Sequence, residues 1–265
     1  MFNRVRDGSR ATWTMTPTIS GREVTAVVEA DNVTRDVHYI TPLYRKAEAA
    51  RLIAVHPSTF RNWAVGYAYK RLDGSQVVSQ PIVTTAQAAS LQGPSVPFVG
   101  LAEAYIVAAF TKAGVPMRCI RLAVLWLQEH IGLDQALASE RLKTDGAEVL
   151  WDYGHRSDDD ADREMVEGLV VVRQGGQQVF RPVVANYLQR VTYENGWTRV
   201  IELPIYEGVN VVVDPWLNGG QPTLAARGIR VADIVDRLVA GEDSADVADD
   251  YDLPETDIER LRRVA

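Results

Sequence analysis

Tyr44-Arg-Lys-Ala-Glu-Ala-Ala50-Arg-Leu-Ile-Ala-Val55-His-Pro-Ser-Thr-Phe60-Arg-Asn-Trp63 is the stretch whose reading decides the fold. Ala47, Ala50, Leu52 and Ile53 recur at helical spacing, Val55 and His56 interrupt, and Pro57 opens a second periodic run through Phe60, Trp63 and Ala64. The spacing predicts two short helices joined by a tight turn, a helix-turn-helix. Ala47 and Ala50 are small enough for the second helix to cross closely, Val55 plugs the turn, and Phe60 and Trp63 point inward at i, i+3. Ser58, Thr59, Arg61 and Asn62 are then left on the outer face. Hydroxyls and free N–H groups at a helix N-terminus suit phosphate oxygens, and Arg or Asn one turn later can reach base edges in the major groove. Lys46 on the first helix is counted with these DNA-contacting residues. The alternative reading of the same residues is a helix pair with a polar face that binds nothing.

Working outward, Gly66 ends the second helix, and Tyr67, Tyr69 and Leu72 lead to Asp73-Gly74, which suits a tight hairpin turn, with Val77 and Val78 in the return strand. Lys70, Arg71 and Gly74 at the tip would form a wing on the flanking DNA backbone or minor groove. Upstream, residues 1–40 read as a loose N-terminal arm with one edge strand over 24–29. Downstream, a Gly- and Pro-rich loop at 92–97 closes the hairpin region. Helices over 101–112 and 116–131 follow, separated by Gly114, and Met117, Ile120, Val124, Leu127 and Ile131 form a core-facing stripe.

Beyond residue 132 the pattern is mixed. It predicts a helix to about residue 142, a strand over 147–151, an acidic linker over 157–164, a strand over 169–172 and a helix near 183–188. Strands 190–194 and 197–202 flank a second hairpin signal, Asn195-Gly196. After an extended, turn-rich stretch at 209–222 come three short helices over 231–240, 244–251 and 254–264. The expected fold class is α+β, mainly helical: a winged helix-turn-helix at 41–131, a mixed middle region at 132–208 and a small three-helix C-terminal domain at 209–265.

Composition excludes several classes. With 265 residues, 46% apolar and 24% charged, the chain is an ordinary globular protein. Its longest apolar stretches, such as 120–127, fall short of the ~20 residues of a membrane span, and no apolar leader follows the N-terminal arginines, so a cytoplasmic location is expected. One cysteine, Cys119, and four scattered histidines, His38, His56, His130 and His155, leave no metal site to expect. Nucleophile elbows, phosphate-binding Gly loops and paired metal-ligand spacings are missing from the sequence; Gly175-Gly176 reads as a turn, and Asp158–Asp160 with Asp162 as a solvated loop rather than a Mg²⁺ site. No catalytic residue, cofactor or metal is expected, and no enzyme. Residues 1–130 hold 14 Lys/Arg against 9 Asp/Glu, residues 131–265 hold 14 against 26, and a basic half joined to an acidic half suits a nucleic-acid reader fused to a module with another partner.

Two resemblances sharpen this. Residues 44–131 resemble the DNA-binding region of the MerR family: Ala50 to Trp63 follow A-x-x-x-G-V-x-x-x-T-x-R-x-[WY], a wing comes next, and Gly114-Val115-Pro-Met-Arg-Cys-Ile120 resembles the Gly-hydrophobic-x-x-x-Ile step between two helices, with one residue more before the Ile. Ala54 replaces the usual turn glycine, and His56 stands where a Ser or Asp N-cap is expected. The helix after Gly114 is too short for the long antiparallel coiled coil of MerR activators. The C-terminal segment, with Val211-Val-Val-Asp-Pro215, Gly220-Gln-Pro222-Thr-Leu224, Ile229-Arg-Val231-Ala-Asp-Ile234 and Gly241-Glu-Asp-Ser-Ala-Asp-Val247-Ala-Asp-Asp-Tyr251, resembles a small helical domain found in antitoxins of type II toxin–antitoxin pairs, among them VapB-like proteins. Ala226, Arg227 and Gly228 depart from its Gly-Thr-Arg.

The resemblance implies an antitoxin and autoregulator whose partners are operator double-stranded DNA and a cognate toxin, a PIN-domain ribonuclease. Antitoxins of that class place an Arg or a helix in the toxin's acidic site. Arg260, Arg262 and Arg263 on the last helix, with Arg227 and Arg230, are the candidate toxin contacts; the bland role for the helix arginines is to complement the helix C-terminal dipole. Operator reading implies at least a homodimer or a hetero-oligomer with the toxin, its contact drawn from the arm, the middle region or the C-terminal helices. The competing function is a stand-alone MerR-like regulator that senses a ligand through Trp151, Tyr153 and Trp197.

Overall fold

The computed structural model describes residues 3–7, 10–15, 18–19, 22–23, 26–28, 37–70, 74, 76–88, 90, 92–157, 159–172 and 178–264. Two compact units result, Met1–Asp36 and Val37–Ala265. The first contains β1 (Asn3–Asp7), β2 (Arg10–Met15), β3 (Thr18–Ile19), β4 (Arg22–Glu23) and β5 (Ala26–Val28). The antiparallel sheet runs β1-β2-β5, and β3 pairs with β4. The expected loose arm is therefore strand-rich. Trp13 and Thr14 of β2 favour a pleated backbone and pair on both sides. Of the expected edge strand, β5 is present, while Val24 and Glu29 lie outside the described residues.

The second unit opens with α1 (Val37–Ile40), β6 (Pro42–Tyr44), α2 (Lys46–Leu52), α3 (Pro57–Val65), β7 (Tyr67–Lys70), β8 (Gln76–Ser79) and β9 (Val96–Pro97). α2 and α3 are the expected helix-turn-helix. Phe60 and Trp63 are buried as expected, but the buried small residues of α2 are Ala49 and Ala50, whereas Ala47 is exposed. Ile53, fully buried, fills the turn's interior more completely than half-buried Val55. Ala54 takes the left-handed conformation, φ +56°, that a turn glycine would adopt without strain.

β7 pairs with β8 from Tyr67↔Ser79 to Lys70↔Gln76, which leaves five residues between the strands where Asp73-Gly74 suggested a two-residue turn. β6 pairs with β9, so the Gly- and Pro-rich loop ends in a short strand that closes on the entry to α2.

α4 (Phe98–Lys112) is buried on every face from Phe98 to Phe110 and is the hub of the core. α5 (Met117–Ile131) lays Ile120, Val124, Leu127 and Ile131 inward, with Met117 half-buried, and ends at Gly132 in the left-handed conformation, φ +76°.

After a short 3-10 turn at Ala136–Ala138 come α6 (Glu140–Arg156) and α7 (Asp160–Leu169). Both overturn the sequence reading: the expected strand over 147–151 is the middle of α6, and most of the expected acidic linker over 157–164 is the first turn of α7. Gly146 looks like a helix breaker but admits a close neighbour; a Cβ there would stand 3.1 Å from the Phe180 ring. Gly154 likewise takes the Val166 side chain. Asp160 and Asp162 favour the positive end of α7, so the acidic run marks a helix start. The Asp162 carboxylate accepts from the Tyr153 hydroxyl at 2.7 Å and from Ser157 Oγ at 2.8 Å, and no metal-binding group of three His, Cys, Asp or Glu exists among the described residues. Asp158, Gly175 and Gly176 lie outside the described residues.

β10 (Val170–Val172) and β11 (Gln178–Phe180) form a ladder, followed by α8 (Pro182–Gln189). β12 (Val191–Glu194) and β13 (Trp197–Glu202) make the predicted hairpin, with Asn195 and Gly196 both at positive φ, +52° and +82°. β14 (Val211–Val213), β15 (Thr223–Leu224) and β16 (Ile229–Arg230) extend it into a five-stranded antiparallel meander that runs across residue 209. α9 (Val231–Val239), α10 (Ser244–Tyr251) and α11 (Glu255–Val264) finish the chain as expected. The fold is α+β and mainly helical. Among the described residues, no helix is long and apolar enough to cross a membrane.

Candidate nucleic-acid interface

α3 begins on an N-cap that serine or aspartate more often provides. His56 Nδ1 accepts the Ser58 backbone N–H at 3.3 Å and lies 2.8 Å from the Ser58 hydroxyl. The imidazole thus performs the capping role, and Ser58 is committed to it. Thr59 is half-buried, whereas Arg61 and Asn62 stand exposed, neither side chain with an ion-pair or hydrogen-bond partner among the described residues. Lys46 is turned to another task, donating from Nζ to Ser95 Oγ at 2.9 Å. Lys70 is exposed at the end of β7; Arg71 lies outside the described residues.

Every residue of β7 is exposed, and Tyr67 and Tyr69 stack with ring centroids 6.1 Å apart. Their i, i+2 spacing on a strand was a readable sign of a shared face.

Three features hold α3 and the wing in place. Gly66, φ +75°, lets the chain leave the helix so tightly that a Cβ would stand 2.2 Å from the Ser79 carbonyl oxygen. Trp63 Nε1 donates to Met117 Sδ at 3.1 Å. Arg121, which sequence reasoning missed, reaches from α5 to donate to the carbonyls of Asn62, at 3.2 Å, and Gln80, while its guanidinium lies 5.6 Å from the Tyr67 ring centroid. Burial holds this guanidinium below its ordinary pKa. An Arg beside an apolar stripe carries no sequence signal for such a clamp. Arg121→Ala is expected to lower duplex affinity about tenfold, the equivalent of losing one charged hydrogen bond, with a far-ultraviolet dichroism spectrum like the wild type. Unchanged affinity in a gel-shift titration would remove Arg121 from the positioning of the head.

The C-terminal arginines divide. Arg227 bonds the carboxylate and carbonyl of Asp252, Arg230 pairs with Asp233 at 2.6 Å, and Arg260 bonds Asp257 at 3.1 Å and the Gly208 carbonyl at 3.2 Å. Arg262 and Arg263 are exposed and have no carboxylate partner among the described residues. The three aromatics of the suggested ligand pocket engage different neighbours: Trp151 contacts His155 at 4.5 Å, Tyr153 contacts Trp126 at 4.9 Å, and Trp197 is buried in β13.

Residues 42–124 match a family described as "Putative DNA-binding HTH domain", and residues 211–262 match a family described as "Protein of unknown function (DUF433)". A curated relative from Mycobacterium tuberculosis, "Putative antitoxin VapB45", is 41% identical over 217 residues, covering 82% of this chain and 90% of the relative. The crystal structure of Rv2018 from the same organism superposes with a TM-score of 0.72 at 39% identity, covering 83% of this chain and 97% of that one.

Proposed function

We propose, for a chain that belongs to the VapB45 antitoxin family, that it binds operator DNA through α3 and the wing to regulate its own promoter, and neutralises a toxin through its acidic C-terminal half. The observation that carries the DNA reading is the outer face of α3. Arg61 and Asn62 project from a helix whose opposite side, Phe60 and Trp63, is fully engaged in the core, so this polar face has no packing task among the described residues. The proposed role is regulatory, in the cytoplasm, with no catalytic step.

The toxin we propose is a PIN-domain ribonuclease, whose carboxylate cluster would accept a guanidinium. Arg262 and Arg263 are the best placed, because Arg227, Arg230 and Arg260 would first have to exchange Asp252, Asp233 and Asp257 for the partner.

Arg61→Ala should weaken binding to the duplex upstream of the gene by about 1–3 kcal/mol, and Lys70→Ala should weaken all duplexes alike and lower the salt slope by about one. If both variants bind like wild type, α3 and the wing are not the reader. Arg262→Glu/Arg263→Glu should lose growth rescue against the co-expressed neighbouring toxin while keeping duplex affinity. Full rescue by this variant would place the toxin contact elsewhere.

A further inference from the structure

α5 has two faces. Ile120, Val124, Leu127 and Ile131 enter the core, while Arg118, Leu122, Leu125 and Glu129 form a stripe on the opposite side, within an arc of about 60° at 3.6 residues per turn. Leu122 and Leu125 are 45% and 58% exposed, on the side of α5 opposite its core-facing residues. Arg118 and Glu129, at the stripe's two ends, are exposed and have no ion-pair partner among the described residues.

The order along the stripe is self-complementary when reversed. Arg118 stands as far before the midpoint between residues 123 and 124 as Glu129 stands after it, and Leu122 and Leu125 flank that midpoint equally. We propose that this stripe pairs with the same stripe of a second copy of the chain, antiparallel about a twofold axis at the midpoint. Leu122 then meets Leu125 of the partner subunit, and Arg118 meets Glu129 of the partner subunit. Each contact occurs twice, as an isologous interface requires. Charge selects the direction: a parallel pair would set arginine against arginine and glutamate against glutamate.

The apolar seam holds four leucine side chains, well short of a standard interface, so a concentration-dependent dimer is expected rather than an obligate one. The contact deepens the proposed function by naming the surface that joins two readers, and it rests on that reading only for its consequence at the operator. Arg121 lies in the same helix and grips the end of α3, so pairing through α5 would fix the spacing between the two reading helices.

Sedimentation of the full chain without DNA tests the pairing separately from DNA reading. Wild type should self-associate as its concentration rises. Arg118→Glu and Glu129→Arg, each placing like charges opposite each other twice, should each weaken association about tenfold or more. An equimolar mixture of these two single variants should form a heterodimer, because every facing pair is then of opposite sign, and the double variant should dimerise like wild type with the polarity exchanged. Leu122→Glu should be monomeric with a wild-type dichroism spectrum. A wild-type chain that stays monomeric at every concentration, single variants that associate like wild type, or a mixture that fails to recover association would each overturn the proposal. In the first case the leucines are left to another protein.

Discussion

A chain ending at residue 208 is expected to lose its native melting transition rather than survive as a DNA-binding half. β13 would lose β14 as its neighbour, and with it the sheet that continues into β15 and β16. Val211 and Val213 are fully buried and Leu224 nearly so. At ~1.5–3 kcal/mol for each buried aliphatic side chain, removing these three forfeits about 5 kcal/mol, comparable with the whole stability of a small domain. The helix-turn-helix also leans on the deleted part. The buried Tyr44 hydroxyl donates to the Gly220 carbonyl at 2.6 Å, and His38 and Tyr39 pack on Trp216 with ring centroids 4.7 and 5.0 Å away. Without that carbonyl, the Tyr44 hydroxyl loses its partner in the core. Calorimetry should show either no cooperative transition or a midpoint lowered by roughly 10–20 °C. A truncated chain that melts within a few degrees of the full one would show that the shared sheet contributes little. DNA reading and toxin binding are therefore better separated by the surface substitutions at Arg61 and at Arg262 and Arg263 than by cutting the chain.

The second large effect is a dependence of stability on pH that centres on Glu103. This residue lies in α4, 2% exposed, and its Oε2 accepts the Thr84 backbone N–H at 2.6 Å. One turn earlier, Gly100 lets the Thr84 carbonyl approach so closely that a Cβ would stand 2.1 Å from its oxygen. Thr84, on the segment leaving the wing, is thus held at both its N–H and its carbonyl side by the core helix. Burial pushes the Glu103 carboxyl up to about 7, although the Thr84 hydrogen bonds oppose the rise. The folded chain consequently holds this proton where the unfolded chain has released it. The contribution is fully present below about pH 4.5 and is lost as pH rises through about 7. The size is on the order of 3 kcal/mol between those limits. Urea denaturation at pH 5 and pH 8.5 should show wild type losing stability across this interval. Glu103→Gln should remove that slope and gain on wild type at the higher pH, even though its amide N–H groups bring a desolvation cost at both. Parallel pH profiles for the two proteins would mean that Glu103 ionises normally in the folded state.

The helix-turn-helix, the wing strands, α4, α5, the Asn195-Gly196 hairpin and the last three helices were legible because each is declared locally. An apolar period of 3.6 marks a buried helix face, a period of two marks a strand face, and Gly or Pro marks the ends. The misreadings have a common cause. The strand expected over 147–151 lies inside α6, between Gly146 and Gly154, where Phe180 and Val166 need the space that a side chain would fill. A glycine chosen for a close approach and a glycine chosen for a turn are the same letter, and only the neighbour across the gap distinguishes them. The acidic run at 157–164 was ambiguous in the same way, since aspartates suit both a solvated loop and a helix N-terminus.

The site was legible to a similar depth. Sequence placed Arg61 and Asn62 on the outer face of α3 because Phe60 and Trp63 had to face the core, and the exposed and buried sides follow that division. It could not foresee that Lys46 would be occupied by Ser95, that His56 would cap α3, or that Arg121 would bind the ends of α3 and the wing together. Nor could it separate Arg262 and Arg263 from Arg227, Arg230 and Arg260, which carry the same charge but find carboxylates in the folded chain. By itself, the sequence determined the helix-turn-helix, α4 and the core-facing stripe of α5, the Asn195-Gly196 hairpin and the last three helices, because those properties depend on backbone dihedrals and on neighbours within a few positions. Tertiary structure alone decided which polar side chains remain available to a partner, because a charge is free or engaged according to groups that the fold brings within hydrogen-bonding distance, often from far along the chain.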